Sequence, residues 1–165
     1  MEQTYQRTIL QQVFTWLSFL VLTALALFLA VNYQALPKIV PMHFNFAGEI
    51  DGYAGRASVW LLPIIGFLMW LLLFVIGAHP EKHNYMFLTE ANKRAQYRLS
   101  CTIVAGSNLF ISLVFMIITL AILQQNDLKN DPILFTSFLT LIGLGISGIG
   151  YMIYRLIGFK RTRTN

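Results

Sequence analysis

Four long runs of apolar residues, none of which contains a charged side chain, constrain this chain more than any other feature. They extend over Val13–Val31, Val59–Ala78, Cys101–Leu123 and Ile133–Ile153. Each run has about the 20 residues that a helix needs to cross the hydrocarbon core of a bilayer. Peptide groups find no hydrogen-bond partner in lipid, so each run must form a helix. The sequence therefore predicts an all-α integral membrane protein, a four-helix bundle that forms a single membrane domain over residues 1–165.

Composition argues against a soluble protein and against several kinds of enzyme. Only 12% of the residues are charged and 56% are hydrophobic, whereas about 25% of the residues in soluble domains are charged. The segments between the runs are too short to form a separate catalytic domain. We find no phosphate-binding glycine loop, no acyl-transfer nucleophile motif and no charged residue within a span. We therefore expect no enzymatic activity, no cofactor and no bound nucleic acid.

The distribution of lysine and arginine predicts the orientation of the chain in the membrane. Nine of the twelve basic residues fall in the N-terminal tail, in the segment between the second and third runs, and after the fourth run: Arg7, Lys82, Lys93, Arg94, Arg98, Arg155, Lys160, Arg161 and Arg163. Only Lys38, Arg56 and Lys129 lie in the other two loops. Cytoplasmic loops carry the excess of positive charge. We therefore expect cytoplasmic termini, a basic inner loop at residues 79–100 and an outer loop at residues 32–58.

The outer loop is the segment most densely specified by its residue types. It contains LPKIVPMHFNFAGEIDGYAGR at residues 36–56. Pro37 and Pro41 fix φ and favour an extended chain. Gly48 favours a left-handed turn, and the pair Asp51-Gly52 is a strong signal for chain reversal. We therefore predict a compact, structured loop whose apolar side chains pack against the helix ends: Ile39, Met42, Phe44 and Phe46.

Three polar residues of this loop, His43, Asn45 and Asp51, form the candidate binding site. If they converge, they can hold a polar peptide or a lipid headgroup, or bind a divalent metal and polarise water. The alternative is structural: His43 hydrogen-bonds the backbone, Asn45 closes a turn and Asp51 caps one. One histidine and one aspartate do not make a three-ligand metal site, so we predict binding and neither a metal nor a catalytic residue.

Two features within the spans point to helix packing. The fourth run carries small and weakly polar residues at spacings that keep them on one helical face: Thr136, Thr140, Gly143, Ser147 and Gly150. Small side chains let another helix approach closely, so this stripe predicts a seam within the bundle or with another copy of the chain. Asn108 lies within the third run and is expected to face the bundle interior, with the lining of a ligand or ion path as the alternative.

The segment LPKIVPMHFNFAGEIDGYAGRASVWLLPIIG closely resembles the domain of unknown function at the start of SdpI-type bacterial immunity proteins. The matching positions are Leu36, Pro37, Val40, Pro41, His43, Phe44, Asn45, Gly48, Asp51, Gly52 and Pro63. Longer members continue with further spans and a second region that contains a glycine-tyrosine-arginine motif, which this sequence lacks, so the chain resembles a short four-span member. The resemblance implies a protein of the bacterial cytoplasmic (inner) membrane. It also implies a family whose well-known relative protects against an extracellular toxic peptide and signals its presence inward.

Together these observations predict a multi-pass membrane protein whose outer loop recognises an extracellular peptide, an envelope component or a membrane partner. The expected role is toxin or antimicrobial-peptide immunity, or stress signalling. Two alternatives stay open. One is a membrane-embedded, metal-dependent enzyme that uses His43 and Asp51, and the other is an accessory subunit of a transporter that docks through the stripe on the fourth span. The expected partners are the lipid bilayer, a peptide or membrane protein, and a second copy of the chain.

Overall fold

Four helices form the body of the computed structural model, which describes residues 5–125 and 127–161. The helices are α1 (Ile9–Asn32), α2 (Leu61–Ala78), α3 (Lys93–Gln124) and α4 (Pro132–Arg161). Each is long and apolar enough to cross a membrane. The prediction of an all-α, four-helix membrane protein is confirmed, and the chain is a multi-pass membrane protein.

Several helices extend beyond their apolar runs. Thr8 caps α1, because its hydroxyl accepts a hydrogen bond from the Gln11 amide at 3.4 Å while the Gln11 side chain accepts one from the Thr8 amide at 2.9 Å. At the same end of the bundle, α3 begins at Lys93, eight residues before the apolar run, since no glycine or proline interrupts the intervening basic segment. The cap and the absence of breakers set these boundaries, not hydropathy.

The helix α3 is the centre of the bundle. Both α1 and α2 pack against it and against each other, whereas α4 packs chiefly against α3. Only 6% of the most apolar stretch of α4 is buried inside the bundle, compared with 28% of the corresponding stretch of α1. Large apolar side chains such as Leu20, Leu68 and Leu144 are exposed on the outer surfaces of the helices. These surfaces suit a lipid environment, in which exposed leucine has no hydration cost.

Polar groups join the first three helices inside the bundle. The Trp70 indole of α2 donates a hydrogen bond to the Thr15 carbonyl of α1 at 2.9 Å. The Asn108 amide of α3 donates to the Trp70 carbonyl at 3.2 Å. Asn108 is buried, so it faces the bundle interior, the location predicted from the sequence. Such interhelical bonds contribute about 0.6 to 2 kcal/mol each in membranes.

The stripe of small residues on α4 faces away from the bundle. All five of its members are exposed: Thr136, Thr140, Gly143, Ser147 and Gly150. A β-carbon added at Gly143 or Gly150 would meet no atom within 4 Å. The contact with α3 instead uses Gly145, where an added β-carbon would lie 3.1 Å from the Phe110 ring. The stripe is therefore not a seam within the bundle, and a seam with another chain stays a prediction.

The outer loop forms a β-hairpin over the helix ends. Strands β1 (Ile39–Phe44) and β2 (Ile50–Gly55) pair in antiparallel fashion, between short 3-10 helices at Tyr33–Ala35 and Arg56–Trp60. Val40, Met42 and Phe44 alternate along β1 and pack into one apolar cluster. The cluster contains buried residues from α1, α3 and the segments flanking the hairpin: Leu29, Leu36, Val59 and Ile122. The loop is thus compact, as predicted, and its inner face is anchored in the bundle.

The position of the turn and the packing of two apolar side chains differ from the sequence-based expectation. The chain reverses at residues 45–49, where Gly48 has the predicted left-handed φ of 75°. Asp51 and Gly52 lie within β2 and not in a turn. Ile39 and Phe46 do not pack against the helix ends, because they are 65% and 99% exposed. The chain reverses before Asp51-Gly52 because the Asn45 side chain organises a turn at residues 45–49.

Candidate functional site

The hairpin brings His43 and Asp51 into direct contact. His43 lies on β1 and Asp51 on β2, and the imidazole Nδ1 hydrogen-bonds the Asp51 carboxylate. Gly52 is the residue opposite His43, and a β-carbon at Gly52 would lie 2.9 Å from that of His43. Real β-carbons do not approach this closely. The absence of a side chain at Gly52 therefore lets β2 bring the Asp51 carboxylate up to the imidazole.

The His43–Asp51 pair presents its chemistry to the solvent. The two side chains are 73% and 42% exposed. Since a carboxylate only accepts hydrogen bonds, Nδ1 donates in this contact, and Nε2 of the ring stays available to a second group. Exposed ion pairs contribute only about 0 to 1 kcal/mol to stability. The pair is therefore better suited to contacting another molecule than to holding the fold together.

Asn45 does not join this pair but builds the turn of the hairpin. Its side-chain oxygen accepts hydrogen bonds from the backbone amides of Ala47 at 2.9 Å and Glu49 at 3.0 Å. Its amide nitrogen donates to the Glu49 carboxylate at 3.0 Å. Of the three residues proposed from the sequence, two form a pair on the surface, and the third takes the structural role of closing a turn.

The hairpin turn is held by the connection between α3 and α4. Lys129 and Glu49 form an ion pair at 2.5 Å. The Ile50 amide donates to the Asp127 carboxylate at 2.8 Å, and the Lys129 amide donates to the Gly48 carbonyl at 3.3 Å. We call this set of contacts the outer clasp. It joins the turn of the hairpin to the segment between α3 and α4, and so fixes the position of the hairpin.

Electrostatics in the outer clasp favour the charged forms of both partners. The hydrogen bond from Lys129, followed by that from Asn45, lowers the pKa of Glu49 below its ordinary value. The hydrogen bond to Glu49 raises the pKa of Lys129. The sequence pattern does not reveal this contact, because the two residues are 80 positions apart. The available signal was that Lys129 and Glu49 are opposite charges in the two loops predicted to share one side of the membrane.

Apolar and aromatic side chains of the same hairpin are exposed together with the His43–Asp51 pair. Tyr53 follows Asp51 by two positions on β2 and is 67% exposed, while Ile39 and the turn residue Phe46 are also exposed. We call the surface formed by these five residues the outer face. Aromatic side chains provide large contact areas at protein interfaces. The combination of a polar pair with exposed aromatic groups suits the binding of a partially apolar partner.

The outer face offers too few ligands for a typical protein metal site. Within residues 5–125 and 127–161, no three His, Cys, Asp or Glu side chains lie close enough to hold a metal ion. Catalytic zinc sites commonly use three protein ligands, and the His43–Asp51 pair supplies two. The chemistry that this arrangement supports best is hydrogen bonding and charge pairing with another molecule.

A domain of unknown function, DUF1648, is found at residues 19–67. This stretch covers the second half of α1, the whole hairpin and the beginning of α2. Comparisons with curated proteins and with solved structures gave no match. The stretch that matches the family therefore has the hairpin and the His43–Asp51 pair at its centre.

Proposed function

We propose that this multi-pass membrane protein recognises an extracellular peptide, an envelope component or a membrane partner through the outer face of its hairpin. The observation that carries the proposal is the exposed His43–Asp51 pair on a hairpin fixed at both ends. In this proposal the protein is located in the bacterial cytoplasmic membrane with its termini inside the cell. Its role is toxin or antimicrobial-peptide immunity, or stress signalling.

The rigidity of the hairpin supports recognition. Its inner face packs in an apolar cluster with Leu29 and Ile122, and its turn is joined to Asp127 and Lys129 in the outer clasp. A binding surface that is ordered before the ligand arrives loses less conformational entropy on binding. Loops positioned by a rigid scaffold commonly carry function for this reason.

The chemistry of the outer face favours a peptide or peptide-like ligand. The Nε2 atom of His43 can accept a hydrogen bond from an amide or ammonium group, and the Asp51 carboxylate attracts a cationic group. Tyr53 and Phe46 offer apolar contact next to these polar groups. Peptides that act on membranes combine cationic and apolar side chains. The resemblance to SdpI-type immunity proteins agrees with this class of ligand.

A second candidate function is that of an accessory subunit of a transporter. The observation in its favour is the exposed stripe on α4, where Gly143 and Gly150 leave room for a neighbouring helix. Close helix approach at small residues is a common means of association in membranes. This function uses a different surface from the outer face, so the two candidates can be tested separately.

The test of recognition is a growth assay on cells that produce the full chain. Cells without the protein, cells with the wild-type chain and cells with the double variant His43→Gln, Asp51→Asn are challenged with a panel of cationic amphipathic peptides and secreted peptide toxins. We expect the wild-type chain to raise the inhibitory concentration of at least one peptide severalfold. We expect the double variant to lose most of this protection, because uncharged amide groups replace both the imidazole and the carboxylate of the pair.

The matched control is Gln34→Ala, which changes an exposed polar residue at the same end of the bundle but outside the outer face. This variant should protect as well as the wild-type chain. Equal amounts of each variant in the membrane fraction establish that folding and insertion are unaffected. Full protection by the double variant at equal membrane abundance would show that the pair is not the recognition site.

A further inference from the structure

A groove opens at the end of the bundle opposite to the hairpin. It has a volume of about 750 Å³ and lies between the beginning of α1, the beginning of α3 and the end of α4. Three arginines line it, together with leucine and tyrosine side chains: Arg94, Arg98, Arg155, Leu10, Leu99 and Tyr151. We call it the inner groove. Its volume falls within the range of about 300 to 1,000 Å³ that is usual for sites that bind small ligands.

The inner groove has a surplus of positive charge. Arg94 and Arg98 are exposed and lie four residues apart, so they share one face of α3. In the part of the chain that the structure describes, neither arginine forms an ion pair with a carboxylate. Arg155 reaches the groove from α4, where its guanidinium donates a hydrogen bond to the Tyr151 hydroxyl at 2.7 Å. The groove is therefore chemically complementary to an anion.

The inner groove also lies at the depth where three helices leave the hydrocarbon. Leu10 and Leu99 are located within three residues of the start of their apolar runs, and Tyr151 is near the end of the fourth run. Leu10 is exposed, so it gives the groove an apolar wall on the membrane side. At this depth a bilayer presents phosphate groups on one side and acyl chains on the other. An anion that also carries acyl chains can contact both the arginines and the leucines of the inner groove.

We propose that the inner groove binds the headgroup of an anionic phospholipid, with its phosphate between Arg94 and Arg98 and its acyl chains along Leu10 and Leu99. Guanidinium groups bind phosphate oxygens through paired hydrogen bonds. Basic pockets between membrane helices on the cytoplasmic side are known sites for lipid headgroups. A soluble phosphate would satisfy the arginines alone, whereas the apolar wall selects the lipid.

The test is native mass spectrometry on the purified full chain in a neutral detergent, titrated with phosphatidylglycerol. Phosphatidylcholine with the same acyl chains serves as the zwitterionic comparison. We expect the anionic lipid to bind more tightly. Its affinity should fall about fivefold when Arg98→Gln removes one arginine and about thirtyfold when Arg94→Gln is added, since each basic residue contributes a similar electrostatic share.

The matched control is Lys82→Gln, which removes one exposed positive charge at the same end of the bundle but outside the groove. It should leave the affinity within twofold of the wild-type value. Equal weakening by Lys82→Gln and Arg98→Gln would indicate diffuse surface charge and overturn the site. Equal binding of phosphatidylcholine would overturn the requirement for an anion.

Two further measurements complete the test. Inorganic phosphate and glycerol 3-phosphate are added as competitors, and displacement of phosphatidylglycerol by either at equal concentration would show a soluble-anion site instead of a lipid site. If the glutamine variants do not fold, Arg98→Lys keeps the charge and the helix. It should still weaken lipid binding, because an ammonium group cannot form the paired bonds of a guanidinium. Undiminished binding by Arg98→Lys would then overturn the proposed phosphate contact.

Discussion

Gly52 demonstrates how one absent side chain can create a surface feature. Its position opposite His43 leaves no space for a β-carbon, because the separation from the His43 β-carbon would be 2.9 Å. Gly55, three residues later on the same strand, would meet no atom within 4 Å. Packing therefore requires glycine at position 52 but not at position 55, so Gly55 is a suitable control for Gly52.

We expect Gly52→Ala to lower the free energy of unfolding by about 1 to 3 kcal/mol, the usual cost of forcing atoms into an occupied space. Gly55→Ala should change it by less than about 0.5 kcal/mol, as substitutions without contacts do. Thermal unfolding of the purified variants in detergent measures the difference. Equal stability of the two variants would show that β1 and β2 separate easily at His43.

The hydroxyl group of Thr119 has no hydrogen-bond partner among residues 5–125 and 127–161. The side chain is fully buried in α3, and its oxygen forms no hydrogen bond within the described part of the chain. A buried hydroxyl that loses its hydrogen bonds costs about 1 to 3 kcal/mol. Thr119→Val keeps the shape and removes this cost, so we expect an increase in stability of about 1 kcal/mol.

The control for Thr119→Val is Thr23→Val in α1. Thr23 is half-buried, and its hydroxyl donates a hydrogen bond to the Phe19 carbonyl at 2.9 Å. Its replacement should bring no gain in stability. A lower melting temperature for Thr119→Val than for the wild-type chain would show that the hydroxyl has a partner in the folded protein.

At the scale of elements, the sequence predicts the helices more completely than the hairpin. The four spans follow from hydropathy and from the hydrogen-bonding needs of the backbone, both of which act within one segment. The boundaries at Ile9 and Lys93 do not follow from hydropathy, because polar residues also form helix when a cap or an unbroken run supports them. Local rules therefore identify these elements but not their ends.

The hairpin depends on contacts that sequence patterns do not reveal. The left-handed conformation of Gly48 agrees with the prediction, because such a turn favours a residue without a side chain. Asp51-Gly52 has an equally strong local turn signal, yet the turn forms around Asn45 and Glu49, where Lys129 and Asp127 stabilise it. The His43–Asp51 contact is a consequence of this register. Contacts between loops distant in sequence thus decided which of two local signals formed the turn.

The outer clasp should weaken in acid. The folded pKa of Glu49 lies below its ordinary value of 4.5, mainly because of the hydrogen bond from Lys129. Its contribution is therefore complete above pH 4.5 and is lost as the pH falls through the lowered pKa. Hydrogen exchange at the Ile50 amide, which bonds to Asp127, should accelerate relative to its intrinsic rate over this range.

The variant Glu49→Gln distinguishes the protonation of Glu49 from that of other carboxylates. The variant has no charge to lose at residue 49, so its exchange at Ile50 should already be faster at neutral pH and should change less on acidification. The raised pKa of Lys129 predicts a second loss in alkali, as the pH rises above the ordinary value of 10.5 and through the raised one. Identical acid profiles for Glu49→Gln and the wild-type chain would assign the transition to another group.

At the scale of the whole molecule, the orientation in the membrane can be tested with single cysteines. The native Cys101 is 2% exposed and should not react with a bulky reagent. Ala47 is exposed in the hairpin turn, and Lys82 is exposed between α2 and α3. In intact cells, a membrane-impermeant maleimide should label Ala47→Cys and should label Lys82→Cys only after permeabilisation. The reverse pattern would invert the proposed topology.

The stripe on α4 predicts association with a second chain. Ser147 belongs to the stripe, whereas the neighbouring Ile146 is exposed on another side of the same helix. Under mild oxidation in membranes, Ser147→Cys should form a disulfide-linked dimer at several times the yield of Ile146→Cys. Equal yields would indicate random collision, and crosslinks to other proteins alone would favour a transporter subunit.

The position of α4 connects the two ends of the molecule. Asp127 and Lys129, in the clasp that holds the hairpin, lie within five residues before its start at Pro132, and Tyr151 and Arg155 of the inner groove lie near its end. At 1.5 Å per residue its 30 residues extend about 45 Å. The same helix is the least buried of the four within the bundle. In the proposed topology, a tilt imposed at the hairpin would displace Arg155 at the opposite end of α4, and an anionic lipid bound there as proposed would couple the two sides of the membrane.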